Sequence, residues 1–266
     1  MRALPRRLRH GEEATLVEHL DELRARLFVC LGALALGFIA GWVLHHHLIH
    51  WLNRPLPEGR VGRPITFGVA EPFLTSFKIS LYAGLLLAMP VILWQAWSFF
   101  APAMEEHSQR RVVWFVMLAA GLLVAGVVFG YFVALPAAVH YLTNFDKSLY
   151  DIRLRARDYY SFATMVMLAM AVVFQLPIVL LALVRLGILS TARLRKERRV
   201  GYFVVACIAV ALPGIDPVTT VIEAVPLLIL YEASIWLSVL VERRSGRGME
   251  PAIAAENAPH FPRVEG

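Results

Sequence analysis

Six apolar stretches, each near the length of a membrane span, alternate along the chain with short polar segments: Leu27 to Leu44, Ile79 to Pro102, Val112 to Val139, Tyr159 to Val184, Val200 to Ile215 and Val221 to Val241. A helix rises 1.5 Å per residue, so a hydrocarbon core about 30 Å thick takes about 20 residues. The stretches are apolar on all sides, whereas barrel strands would alternate, so the pattern predicts helices that satisfy their backbone hydrogen bonds internally. Pro90, Pro136, Pro177 and Pro226 fall inside spans, where kinks are expected. The fifth stretch has 16 residues before Asp216, a reach of about 24 Å. Such mismatch is relieved by a thinned bilayer or by packing against partners. The expected fold is an all-α polytopic membrane protein of six transmembrane helices, with kinked spans and short fifth and sixth helices.

Composition agrees with this class, since 58% of the 266 residues are hydrophobic and only 17% are charged. Cys30 and Cys207 each lie in an apolar run, which argues against a disulfide framework or a zinc site. The net charge of +6 fits attraction to anionic lipid, and no nucleic-acid partner is expected. The basic residues are split by side. Arg2, Arg6, Arg7, Arg9, Arg24, Arg26, Arg110, Arg111, Arg185, Arg193, Arg195, Lys196, Arg198, Arg199, Arg243, Arg244, Arg247 and Arg263 share one side, eighteen in all; eight fall on the other. Basic residues near cytoplasmic ends resist translocation, so both termini are expected in the cytoplasm of a multi-pass inner-membrane protein. The acidic stretch ahead of the first span, and the lack of a small-residue cleavage site after it, argue against a cleaved signal peptide. Three regions follow: a cytoplasmic interfacial helix over 1–26, a six-helix membrane domain over 27–244 and a disordered cytoplasmic tail over 245–266.

Thr15 and Glu18 have capping-box spacing, so a helix should begin near Leu16. Leu16, Leu20, Leu23 and Leu27 form an apolar stripe, with Glu18, Asp21 and Glu22 on other faces. Those carboxylates are either a solvated face or a site for a cationic ligand. The segment after the second span carries Glu105 and Glu106 on the same side, where they could also pair with Arg110 and Arg111. Guanidinium forks match carboxylates bidentately, so such a surface suits paired arginines.

Asp216, Glu223 and Glu232 are ionisable groups at or within the last span, and such groups are functional candidates by default. Asp216 and Glu223, seven apart, share a face that Glu232 does not. Carboxyls hydrogen-bonded between helices would be the structural alternative. His46 and His50 share a helix face beside His45 and His47, but no third ligand is evident and no metal site is expected. No nucleophile-and-base constellation or phosphate loop is present, so neither an enzyme nor a cofactor is indicated.

His19, Leu20, Asp21, Glu22, Leu23 and Arg24, the segment Glu71-Pro72-Phe73, the run from Met89 to Pro102, Phe174-Gln175-Leu176-Pro177, and the run from Asp216 to Glu232 together resemble the TatC family, the multispanning core of the twin-arginine protein translocase. The resemblance covers roughly residues 15 to 242. It implies a core receptor and scaffold for twin-arginine signal peptides of folded precursors. It also implies an oligomeric complex with single-span TatA- and TatB-like subunits, driven by the proton-motive force. Glu22 matches the family's signal-binding glutamate, and Glu18 and Arg24 belong to the same candidate segment. The second family glutamate falls on Ser108, so Glu105 and Glu106 are candidate substitutes. Gln175 stands where relatives often carry glutamate, and with Asp216, Thr220 and Glu223 it forms the candidate subunit-docking or intramembrane polar set. A proton-coupled small-solute transporter is the alternative, although no internal repeat supports it.

Overall fold

The computed structural model describes residues 16–57, 64–100, 109–146, 148–149, 152–185, 188–213 and 216–244. Helices account for nearly all of them: α1 (Leu16–Asn53), α2 (Glu71–Phe100), α3 (Gln109–Phe129), a π-helical segment (Gly130–Ala134), α4 (Leu135–Asn144), α5 (Ala156–Val173), α6 (Leu176–Arg185), α7 (Thr191–Lys196), α8 (Arg198–Ala211) and α9 (Pro217–Arg244). The β pairing among the described residues is one isolated bridge between Ile65 and Arg155.

Five helices are long and apolar enough to cross a membrane: Leu20–Asn53, Glu71–Phe99, Val116–Asn144, Ala156–Arg185 and Pro217–Leu240. Their composition makes this an all-helical, multi-pass membrane protein. The fifth apolar stretch becomes α8, which at 14 residues spans only about 21 Å. The expectation of a short sixth helix is corrected, because α9 has 28 residues. Its start is fixed by Asp216, whose Oδ1 accepts from Thr219 N–H at 2.7 Å, with Pro217 in the first helical turn. From there it runs through Pro226 without a break and on into its polar end at Arg244. Within the described residues α1 is one continuous helix over Leu16–Asn53, so no break at residue 26 separates its polar turns from the span.

The four prolines act differently. Pro90 and Pro226 lie inside continuous helices. Pro136 follows the π segment, where Leu135 N–H donates to Gly130 O and inserts an extra residue into the turn. Pro177 stands where α5 gives way to α6 at Phe174 and Gln175, since proline cannot donate the bond that would continue the ladder.

Packing runs from an α1/α2 hairpin at one end, through α3 to α6, to an α8/α9 hairpin at the other. The α1/α2 crossing depends on small residues. A Cβ on Gly41 would come within 2.6 Å of Ser80 O, and one on Gly84 within 2.7 Å of Phe38 Cα. Gly37, Gly41, Ser80 and Gly84 thus bring two backbones into contact, the usual route to helix association where lipid removes the hydrophobic drive. Where α2 begins, Glu71 ties the connecting segments together. It accepts from Phe67 N–H at 3.0 Å, Arg155 Nε at 2.9 Å and Arg157 N–H at 3.4 Å. The hydrogen bond to Glu71 raises the pKa of Arg155.

Candidate functional site

The polar first half of α1 lies against the last turns of α2. Arg26 reaches back one turn to Glu22, with Nε at 3.1 Å and Nη2 at 2.5 Å from the same oxygen, Oε1. The guanidinium also donates to Ser98 O at 3.0 Å and to Gln95 Oε1 at 3.3 Å. α2 has no basic residue in its own last turn, so Arg26 supplies from α1 the cation that the carbonyl end of a helix favours. Glu22 Oε2 has no partner among the described residues, and the side chain is 34% exposed. Arg24 is exposed and rests over the Phe28 ring, 5.7 Å from its centroid. The backbone of Glu18 is in α1, but its side chain lies outside the described residues, as do Glu105, Glu106 and Ser108. At this end the arrangement therefore offers one part-exposed carboxylate, held in place by a part-buried arginine, to an incoming cation.

The second candidate set lies deep between helices. Gln175 is 6% exposed and donates Nε2 to Ala119 O at 3.0 Å, crossing from the α5/α6 break to α3, while its Oε1 has no partner among the described residues. Asp216 caps α9 through Oδ1, and its buried Oδ2 has no partner among the described residues. Thr220 Oγ1 donates to Asp216 O at 3.0 Å. Glu223 is fully buried, and among the described residues neither of its oxygens has a partner, nor does Thr219 Oγ1 on the same stripe. Gln175 contacts α3, whereas Asp216, Thr219 and Glu223 form an interior stripe of α9, so the candidate set is not one cluster on an outer surface.

The outer surface there has a different polar group. Glu232 accepts from the Tyr202 hydroxyl and pairs with Arg198 at 3.3 Å, joining α8 to α9. Beside this pair is a groove of about 550 Å3, lined by Val205 and Ala206 of α8 and by Ala224, Leu228 and Ile229 of α9. The helices come this close because Gly201 has no side chain where the Tyr231 ring lies. Sequence reasoning singled out Glu232 but not Tyr202, Arg198, Gln95 or the role of Arg26. The available signals were a glutamine inside the apolar run before Pro102 and arginines at the head of the fifth stretch.

Among the described residues no group of three His, Cys, Asp or Glu side chains comes together. His45 Nδ1 lies 2.6 Å from Trp42 O, and its ring stacks on Trp42.

The family model for TatC, the Sec-independent protein translocase protein, matches residues 18–226. The chain belongs to the TatC family. The Sec-independent protein translocase protein TatC of Magnetococcus marinus is 33% identical over 235 residues, covering 88% of this chain and 87% of that one. The TatC protein of Aquifex aeolicus is 34% identical over 236 residues, covering 86% and 96%. A crystal structure of the twin-arginine translocase receptor TatC superimposes with a TM-score of 0.73 at 32% identity, over 84% of this chain and 98% of that one. As a TatC-family member the chain is a component of Sec-independent protein translocation, and this does not favour the small-solute transporter reading.

Proposed function

We propose that this chain is the receptor and scaffold of a twin-arginine translocase and binds the signal peptides of folded precursors at the end of the molecule that carries Glu22. One observation carries the reading: Arg26 contacts Glu22 through Oε1, and Oε2 of this part-exposed side chain has no partner among the described residues, which leaves it for a guanidinium. Glu18 and Arg24 flank it on α1, and Glu105 and Glu106 supply the second carboxylate contact from the segment after α2. Both termini lie in the cytoplasm, α8 is the fifth of six crossings of the inner membrane, and residues 245–266 form a cytoplasmic tail. Single-span TatA- and TatB-like subunits dock along α8 and α9, with Thr220 at the rim and Gln175, Asp216 and Glu223 behind it. The proton-motive force supplies the energy.

The test is a titration of a twin-arginine peptide against the purified chain in nanodiscs. A charge-assisted hydrogen bond contributes about 1.5 to 3 kcal/mol, and exposure lowers this. Glu22→Ala is therefore expected to weaken binding by about tenfold, with a further loss when Glu105→Ala and Glu106→Ala are added. Replacing the peptide's arginines by lysines should also weaken binding, because lysine keeps the charge and loses the fork. Unchanged binding by Glu22→Ala would remove the proposal's residue-level support.

A further inference from the structure

Beside the C-terminal end of α1 is an apolar groove that the receptor reading does not use. Its volume is about 340 Å3, and its lining comes from the last turns of α1, the middle of α2, the end of α3, the π segment and α5. Leu52 and Ile79 form its buried part, while Trp51, Val128 and Phe132 are exposed beside them. In a membrane protein those exposed side chains face lipid.

The π segment makes one wall of this groove. Gly130 packs so tightly on α5 that a Cβ would come within 3.2 Å of Met167 Cα. With the extra residue in the turn, Tyr131 and Phe132 line the groove. Such π turns recur at functional sites. Polar groups of the lining are engaged within the protein: Tyr131 hydroxyl donates to Trp51 O at 2.9 Å, and Thr164 Oγ1 to Tyr160 O at 2.6 Å. Two are not. The exposed Arg54 guanidinium and the Tyr82 hydroxyl have no side-chain partner among the described residues.

We propose that this groove holds an acyl chain of an anionic phospholipid whose phosphate sits on Arg54, in the leaflet at the C-terminal end of α1. Charge decides the headgroup, since a zwitterionic lipid brings a cationic group that offsets its phosphate beside the guanidinium, whereas an anionic lipid brings the phosphate alone. Length decides against a polypeptide. The α1 lining extends only from Leu48 to Leu52, with Arg54 just beyond the helix, about 6 Å of helix, whereas a spanning partner needs about 30 Å. The proposal does not depend on where signal peptides bind.

One basic residue at an anionic surface contributes about 1 kcal/mol, about a fivefold preference. Native mass spectrometry of the full chain, titrated with phosphatidylglycerol and with phosphatidylcholine, should show that preference for the first bound phosphatidylglycerol. Arg54→Ala should abolish the preference and Arg54→Lys should retain it. Ala83→Trp, which fills the groove, should lower the first binding event for both lipids without a large change in melting midpoint. A photoreactive benzophenone side chain in place of Phe132 should attach to lipid in phosphatidylglycerol vesicles, an arm that holds even if Ala83→Trp does not fold. Equal binding of the two lipids, a preference that survives Arg54→Ala, or attachment at position 132 to polypeptide would each overturn the proposal.

Discussion

Arg26 makes both of its contacts with Glu22 through one carboxylate oxygen and uses its remaining donors on the last turns of α2. The two residues therefore have separable roles. Arg26 joins two helices, and Glu22 presents at the junction an oxygen with no partner among the described residues.

Arg26→Ala should accordingly lower the thermal midpoint, with a loss of about 1–2 kcal/mol, because several charge-assisted bonds disappear from a group only 21% exposed. Glu22→Ala leaves the Ser98 and Gln95 bonds intact and should shift the midpoint little while weakening the peptide. Paired melting and peptide titrations check this; equal destabilisation by both variants would contradict the division.

At the α1/α2 crossing, Gly84→Ala should destabilise the protein markedly, since its Cβ would lie 2.5 Å from Phe38 N and 2.7 Å from Phe38 Cα. Backbone atoms cannot swing aside as a flexible side chain can. Gly32→Ala, with nothing within 4 Å of the new Cβ, is the control. It should be neutral or slightly stabilising, because alanine forms helix better than glycine by about 1 kcal/mol. Thermal unfolding in one detergent distinguishes the two.

Glu223 is a buried carboxyl with neither oxygen satisfied among the described residues. Leaving a buried polar group unpaired costs about 1–3 kcal/mol, so Glu223→Leu should raise the melting midpoint. If translocation of a twin-arginine precursor falls in the same variant, stability and activity move in opposite directions, the pattern of a polar group retained for function. A lowered midpoint would instead mean that Glu223 is satisfied in the membrane.

Orientation is tested by cysteine labelling in intact cells and inverted vesicles. Single cysteines at Gln109 and Ser245 should react only from the cytoplasm, and those at Gly59 and Ser148 only from outside. One reversed pair would refute the six-crossing arrangement with both termini inside.

The spans were legible in the sequence because lipid imposes a simple rule: twenty or so apolar residues on all faces leave a helix as the stable state. The family was written in ordered motifs from the first helix to the last, whereas the capping residue Thr15 lies outside the described residues. Helix lengths were less legible. Hydropathy stops at polar residues, whereas α1 and α9 continue through theirs, so α9 was expected short and is long. Pro136 and Pro177 marked irregularities, but only backbone geometry decided that one is a π turn and the other a break.

What the sequence by itself determined about this protein is its class, its family and the chemical types at its candidate sites, all of which depend on local periodicity and residue identity. Tertiary structure alone decided which partners those residues have. Arg26 and Ser98 are 72 positions apart, Tyr202 and Glu232 are 30 apart, and Tyr131 meets Trp51 across 80. Such pairings depend on how closely helices approach, which is set by a few glycines and by where a ridge falls into a groove. The physical reason is that a hydropathy pattern records how each helix meets lipid, while contact between helices depends on shape, which one helix's pattern does not contain.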